Sequence, residues 1–211
     1  HTSVDKMEVK DGKVISTVRL KDVNSVITFN YSMNAGGELT VEATFTGGPG
    51  ELPEVPRVGL IFALNREYTN FSWYGRGPLE NYPDRNTASF VGIHKSTVAE
   101  QYVPYTRPQE NGYKTDLRWF TLTDDQGKGI RIEGLQALGV SALHNYPEDF
   151  DPGFTKKQQH PTDLTHKQEV VVSMDVAMRG VGGDNSWGAQ PHREYRLFNK
   201  EYKMGFVIKS L

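Results

Sequence analysis

The feature that most constrains this chain is a period of two. In "LTVEATFT" the residues Leu39, Val41, Ala43 and Phe45 alternate with Thr40, Glu42, Thr44 and Thr46, which is the pattern of a strand with one buried and one wet face. "EVVVSMDVAM" repeats it with Val170, Val172, Met174, Val176 and Met178. The segments "VISTVRL", "SVITFNY", "RVGLIFAL", "LRWFTLT", "GIRIEG", "YRLF" and "MGFVIKS" read the same way. Helix is nearly absent; the best site is a turn or two in "YPEDFDPGF", where Pro147 suits a first helical position and acids follow it. Strands separated by Gly, Pro and Asn clusters, without crossover helices, predict an all-β antiparallel sandwich. A length of 211 residues suits one such domain over 1–211 with a well-buried core.

Charge and composition narrow the partners. Twenty-four Lys and Arg against 26 Asp and Glu give a net charge of −2, so no long-range field draws in nucleic acid or an anionic membrane. With no cysteine there is neither a disulfide framework nor a thiol nucleophile or thiolate metal site, and the redox compartment stays open. No apolar run approaches the roughly 20 residues of a membrane span. The opening "HTSVDKMEVKDGK" has no signal-peptide core and no initiator Met, so a soluble chain processed or excised from a longer one is expected.

Two long segments break the alternation: "WYGRGPLENYPDRN", residues 73–86, and "YVPYTRPQENGY", residues 102–113. Trp73, Tyr74, Tyr82, Tyr102, Tyr105 and Tyr113 are too many aromatics for a solvated tail, so these are packed loops of the kind that carry function. Trp73 and Tyr74, as a strand-end pair, read as core. A third irregular stretch, "GVGGDNSWG" at 180–188, first suggests a phosphate cradle. A dinucleotide fingerprint needs an amphipathic helix after it, whereas "AQPHREYRLF" has a Pro and then alternates like a strand. Trp187 in this loop is either a plug at the end of a core or an exposed contact.

Taken in order, "WYGRGPLENYPDR", "YVPYTRPQENG", "SALHNYPEDF" and "THKQEVVVSMDVAMRGVGGDNSWG" resemble the C-terminal domain of β-galactosidases of the family-two glycoside hydrolases, the small-chain-like fifth and last domain of the parent enzyme. "LPEVPRVGLIFAL" resembles the strand that precedes the first loop. The resemblance runs from about Pro53 to the C-terminus; residues 1–52 read as weakly matched leading strands. It implies a galactose-mutarotase-like supersandwich of two twisted antiparallel sheets. The family's "RAPTDND"-like segment is missing, which implies truncation at the N-terminal edge. A bacterial source, in cytoplasm or periplasm, also follows from the resemblance.

The resemblance locates the hydrolytic chemistry elsewhere. Retaining glycosidases need two carboxyl groups about 5 to 5.5 Å apart, and in this family both glutamates lie in a preceding (β/α)₈ barrel, which takes about 250 residues of alternating strand and helix. The loop acids Glu80, Asp84, Glu110 and Asp184 read instead as turn chemistry and as partners for Arg76 or Arg85. Fold relatives that interconvert sugar anomers use a Glu and a His, for which the candidates are His144 or His166 with Glu110 or Asp184; each histidine also reads as a structural hydrogen-bonding residue. His1, His94, His160 and His192 show no metal-ligand spacing. Calcium or sodium held by loop carbonyls leaves little trace in sequence. No cofactor is expected within this chain, and any metal ions would serve the parent enzyme.

In the resembled family the tryptophan of the "GGDNSW"-type loop projects toward the barrel mouth and forms an aromatic wall for the sugar. Trp187 holds that place, and a rigid indole suits the apolar C–H face of a pyranose. Asp184 and Asn185 are set either to hydrogen-bond a sugar hydroxyl or to cap the turn, the turn role being favoured for Asp184. Arg76, Asn81, Asp84, Arg85, Glu110 and Asn111 are candidates for contacts between loops or with other domains. The expected partners are a galactoside and the preceding domains of the parent.

Overall fold

The computed structural model describes residues 1–50, 52–151, 153 and 159–211. Strands β1 (Thr2–Lys10), β2 (Lys13–Leu20), β3 (Ser25–Met33) and β4 (Leu39–Thr46) form an antiparallel meander. Its first turn is the pair Asp11–Gly12, both at positive φ (50° and 74°) between the partners Lys10 and Lys13; an Asp-Gly pair favours that two-residue hairpin because glycine meets no steric penalty there. β11 (Tyr202–Ser210) lies on the other side of β4, with Phe206 opposite Val41. The sheet continues through β9 (Gly129–Leu143), β8 (Lys114–Thr123), β6 (Asn70–Gly77) and β7 (Phe90–Thr97).

β9 turns this sheet into a two-layer structure. Its first part pairs with β11, Ile130 to Gly134 against Ser210 to Phe206. Its last part pairs with β10 (Val170–Met178), Gly139 to Leu143 against Asp175 to Val171, and β10 in turn holds β5 (Arg57–Leu64). The second layer folds back over the first, so that Val170, Val172 and Met174 join one core with Val41, Ala43, Phe71, Trp73, Phe120, Ile132, Met204 and Phe206. Phe71 stacks on Trp73 with centroids 4.8 Å apart and meets Phe120 edge-on at 6.1 Å, arrangements that add to area burial.

The expected all-β antiparallel class is the observed one, and the alternating faces of β4 and β10 point inward as the period predicts. β10 also buries its second face: Val171, Ser173 and Asp175 are as covered as their neighbours. Helix α1 (Pro147–Phe150) starts on Pro147, and the Asp149 carboxylate accepts the Tyr146 N–H at 2.8 Å, satisfying one of the orphan donors of a helix start. The end of "YPEDFDPGF" lies outside the described residues.

Several readings are corrected. "YRLF" is not a strand: a short 3₁₀ turn covers Arg193–Tyr195, and beyond it, among the described residues, one backbone bond, Val55 N–H to Leu197 O at 3.1 Å, reaches another segment. Its alternation serves side chains instead, with Arg193 and Arg196 flanking the Phe198 ring at 5.0 and 5.7 Å. The first irregular segment starts later than the sequence suggests, because Trp73 to Gly77 belong to β6. β1 and β7, at the two ends of the sheet, went unread because their polar and apolar residues do not separate cleanly on an edge.

Candidate functional site

Three loops gather beside the second layer. The loop after β6, residues 78–89, is pinned by Asn81, whose N–H donates to Tyr113 O at 2.8 Å and whose Oδ1 accepts the Thr115 N–H at 2.9 Å and the Thr115 hydroxyl at 2.6 Å. Asn81 is wholly buried, and its Nδ2 donates to Leu79 O at 3.1 Å, so its hydrogen bonds serve this chain. Arg76 is likewise spent on the loop: it pairs with Asp116 and donates to the carbonyls of Asn86 (3.3 Å) and Ser89 (2.8 Å). Tyr82 and Arg85 face each other in a two-residue bridge around Pro83–Asp84. The Tyr82 ring stacks on Tyr113 at 5.6 Å, and the Arg85 guanidinium lies over the same ring, 4.8 Å from its centroid.

The second loop is tied to the first by charge. Glu80 takes Arg85 and the Tyr105 hydroxyl on one oxygen and the Gly112 N–H, at 2.8 Å, on the other. Asn111 is buried and locks its own loop, donating to Gln109 O at 2.9 Å and accepting the Val103 N–H at 3.4 Å. Glu110 meets Arg57 Nη1 at 3.2 Å, while Arg57 Nη2 and Nε donate to Asp175 Oδ2 at 2.6 and 3.1 Å. Asp175 is only 1% exposed. Burial pushes both carboxyls above their ordinary range, against the pull of Arg57, and the two acids raise the Arg57 guanidinium despite its own burial. A buried acid sharing one arginine with a half-buried one is an anchor first.

Lys114 sits behind this cluster, 1% exposed, with Nζ donating to Gly112 O at 3.1 Å and lying 5.4 Å from the Trp73 ring. Burial lowers its ammonium to about 8. The histidines proposed for acid–base work are both bound locally. His144 Nδ1 lies 3.1 Å from Glu169 O; His166 Nδ1 lies 2.7 Å from Asn145 Oδ1, and its ring meets Tyr102 edge-on. Among the described residues neither shares a hydrogen bond with Glu110 or Asp184.

The third loop carries Trp187, which is 93% exposed and is therefore no plug for the core. The loop leaves β10 through Arg179, whose N–H donates to Pro56 O at 2.9 Å and whose side chain reaches Glu54 at 3.1 Å. Gly183 passes so close to Ala189 that a Cβ would lie 2.1 Å from Ala189 O, so the two limbs touch and only glycine fits. Asn185 Oδ1 accepts the Trp187 N–H at 2.8 Å, the local turn bond expected of an Asx residue. Asp184 instead pairs across the loop with His192 Nε2 at 2.8 Å, which raises the imidazole above its usual value. The result is a thin, closed ledge with one large aromatic at its edge.

Between the loops lies an open cleft of about 580 Å³, with Arg85, Tyr105, Gln109, Glu110 and Arg179 on its walls and the Gly180–Gly182 backbone along one side. Sequence reasoning put Arg85, Glu110 and the glycine stretch in separate irregular loops, and the structure shows all three on the walls of one cleft. It missed Arg57 and Asp175, although an acid inside an apolar strand and an arginine opening another are a legible signal for a buried pair. Arg179 also went unread, and His192 was weighed only as a metal ligand.

Fold and site together define an all-β domain that presents a rigid aromatic ledge over a polar cleft. Residues 1–208 match the family described as "Beta galactosidase small chain", and the chain belongs to that family. The match takes in residues 1–52, where the sequence alone shows few recognisable motifs. A β-galactosidase of Priestia megaterium is 39% identical over 94% of this chain and 19% of its own length, and one of Streptococcus thermophilus 34% identical over 91% and 18%. The chain thus spans about a fifth of the length of the curated relatives it matches. Among solved structures, the GH36 alpha-galactosidase AgaB of Geobacillus stearothermophilus aligns over all of this chain and 27% of its own at 11% identity, with a TM-score of 0.50. A GalM/aldose epimerase homologue from C. elegans aligns over all of this chain and 68% of its own at 12% identity, with a TM-score of 0.44.

Proposed function

We propose that this chain is the C-terminal domain of a family-two β-galactosidase, that it supplies Trp187 as one wall of the galactoside site, and that it holds that wall against the remaining domains. The observation that carries this reading is a 93% exposed tryptophan on a loop closed by its own hydrogen bonds. An exposed, rigid indole offers a large contact face, and a sugar ring matches it: the C–H face stacks and the hydroxyls stay wet. The loop acids support a non-hydrolytic role, since Glu80, Glu110 and Asp184 each hold a basic side chain and Asp84 accepts a backbone N–H. On this reading the purified 211 residues leave β-galactosides at the uncatalysed rate. Robust turnover contradicts it.

The cleft beside the ledge favours a second reading, a carbohydrate-binding module acting without the rest of a parent. Calorimetric titration with galactose and with lactose, for the chain and for Trp187→Ala, separates the two. A heat with either sugar that Trp187→Ala removes supports the module, and no heat with either sugar rejects it. The anomer-converting alternative draws less from the geometry, because among the described residues neither His144 nor His166 shares a hydrogen bond with Glu110 or Asp184.

A further inference from the structure

The exposed part of the ledge, Val181 to Gly188, is closed by bonds within its own segment, namely Asp184 to His192, Trp187 to Asn185 and the touch of Gly183 on Ala189. Among the described residues, one hydrogen bond ties it to another part of the chain: the Gly182 N–H donates to Asp84 Oδ2 at 2.7 Å. The same carboxylate fills the space above Gly180, where a Cβ would lie 2.7 Å from Oδ2. Asp84 is itself held at the tip of the Tyr82–Arg85 bridge, whose base is the buried Tyr82–Tyr113 stack. Its second oxygen, Oδ1, is buried without a donor. An unpaired buried oxygen costs free energy, so the carboxylate is not there for stability alone.

We infer that Asp84 is the positioning residue of the ledge, fixing Trp187 over the sugar site by clasping the Gly180–Gly182 backbone. The inference rests on the proposed role of Trp187 and adds the cause of its rigidity. A stacking wall contributes to affinity only when its geometry is set before the ligand arrives. Ordering eight exposed residues at each binding event would consume the gain of one indole contact. The clasp links the first loop, through its aromatic base, to the third, so the wall inherits the stiffness of the core.

Backbone relaxation of the ¹⁵N-labelled chain tests this. The Trp187 amide should have an order parameter near the rigid value of about 0.85, falling below about 0.6 in Asp84→Ala, while the amides of β10 and β11 do not change. Asp84→Asn keeps an oxygen for the Gly182 N–H and should restore the rigid value. Gly180→Ala pushes the carboxylate aside without altering it, and should loosen the ledge as Asp84→Ala does; it serves if Asp84→Ala does not fold. A folded Asp84→Ala or Gly180→Ala with Trp187 at wild-type order overturns the clasp, as does an Asp84→Asn as loose as the alanine variant. Galactose titration of the same samples keeps the two readings apart. Where the wild-type chain binds galactose, a loosened ledge that binds it equally well upholds the clasp and contradicts the role of Trp187, and lost binding at unchanged order overturns the clasp; where it does not, kcat/KM for lactose in the parent enzyme with Asp84→Ala makes the same separation.

Discussion

Two residues show how differently burial can be used. Trp187 is 93% exposed, and its backbone N–H, which alanine keeps, donates to Asn185 Oδ1, so Trp187→Ala should leave unfolding in urea within about 0.5 kcal/mol of wild type; a larger loss would mean the indole packs against the chain. Lys114 is the reverse, a cation inside the core with one carbonyl partner and one ring face. Its pKa falls from 10.5 to about 8, so from about pH 8 to 10.5 the unfolded chain binds more protons than the folded one and stability rises with pH. Below pH 8 both states are charged and the penalty is fully present. Lys114→Met should therefore remove an alkaline gain that is at most roughly 3 kcal/mol. Wild-type and variant stabilities that run parallel between pH 7 and 10.5 would show that Lys114 is solvated.

At the scale of elements, β5 is stapled to β10 and the second loop by Arg57, which holds Asp175 and Glu110 together. Removing Arg57 strands a buried carboxylate, so Arg57→Met should destabilise by about 3 to 5 kcal/mol, and adding Asp175→Leu should recover much of that; denaturant midpoints of the single and double variants decide it. Which strands were legible in the sequence has a physical cause. β4 and β10 announce themselves because every inward position carries an apolar side chain. β6 does not, because after Phe71 and Trp73 its inward positions are Gly75 and Gly77, where a Cβ would meet Leu117 Cα at 2.9 Å and the Trp73 and His94 rings at 2.9 Å. The period is present but written in glycine, and it reads as the start of a loop. Gly75→Val should accordingly cost about 1 to 3 kcal/mol by overpacking, whereas an unchanged midpoint would mean that β6 and β8 separate readily.

For the whole molecule, the motifs in the loops disclosed more than the strands, because a loop must solve its own hydrogen bonding and leaves those residues in the sequence. "ENYPDR" encodes the Glu80–Arg85 pair and the buried Asn81, whereas Asp84, read as turn chemistry, accepts the N–H of Gly182, 98 positions away. What stayed hidden is long-range: Arg57 and Asp175 are 118 positions apart, and His192 closes a loop opened eight residues earlier. Two layers, three loops and one ledge amount to a scaffold that ends in a single exposed aromatic. On the proposed function, the hydrolytic reaction lies in the remaining four-fifths of a parent β-galactosidase. The most direct measurement is kcat/KM for lactose in the enzyme that carries this chain, with and without Trp187→Ala. An indole contact to the sugar predicts a fall of about tenfold or more, equivalent to about 1.4 kcal/mol, at unchanged thermal stability. Equal kcat/KM in the two proteins would contradict the claim that Trp187 forms a wall of the galactoside site.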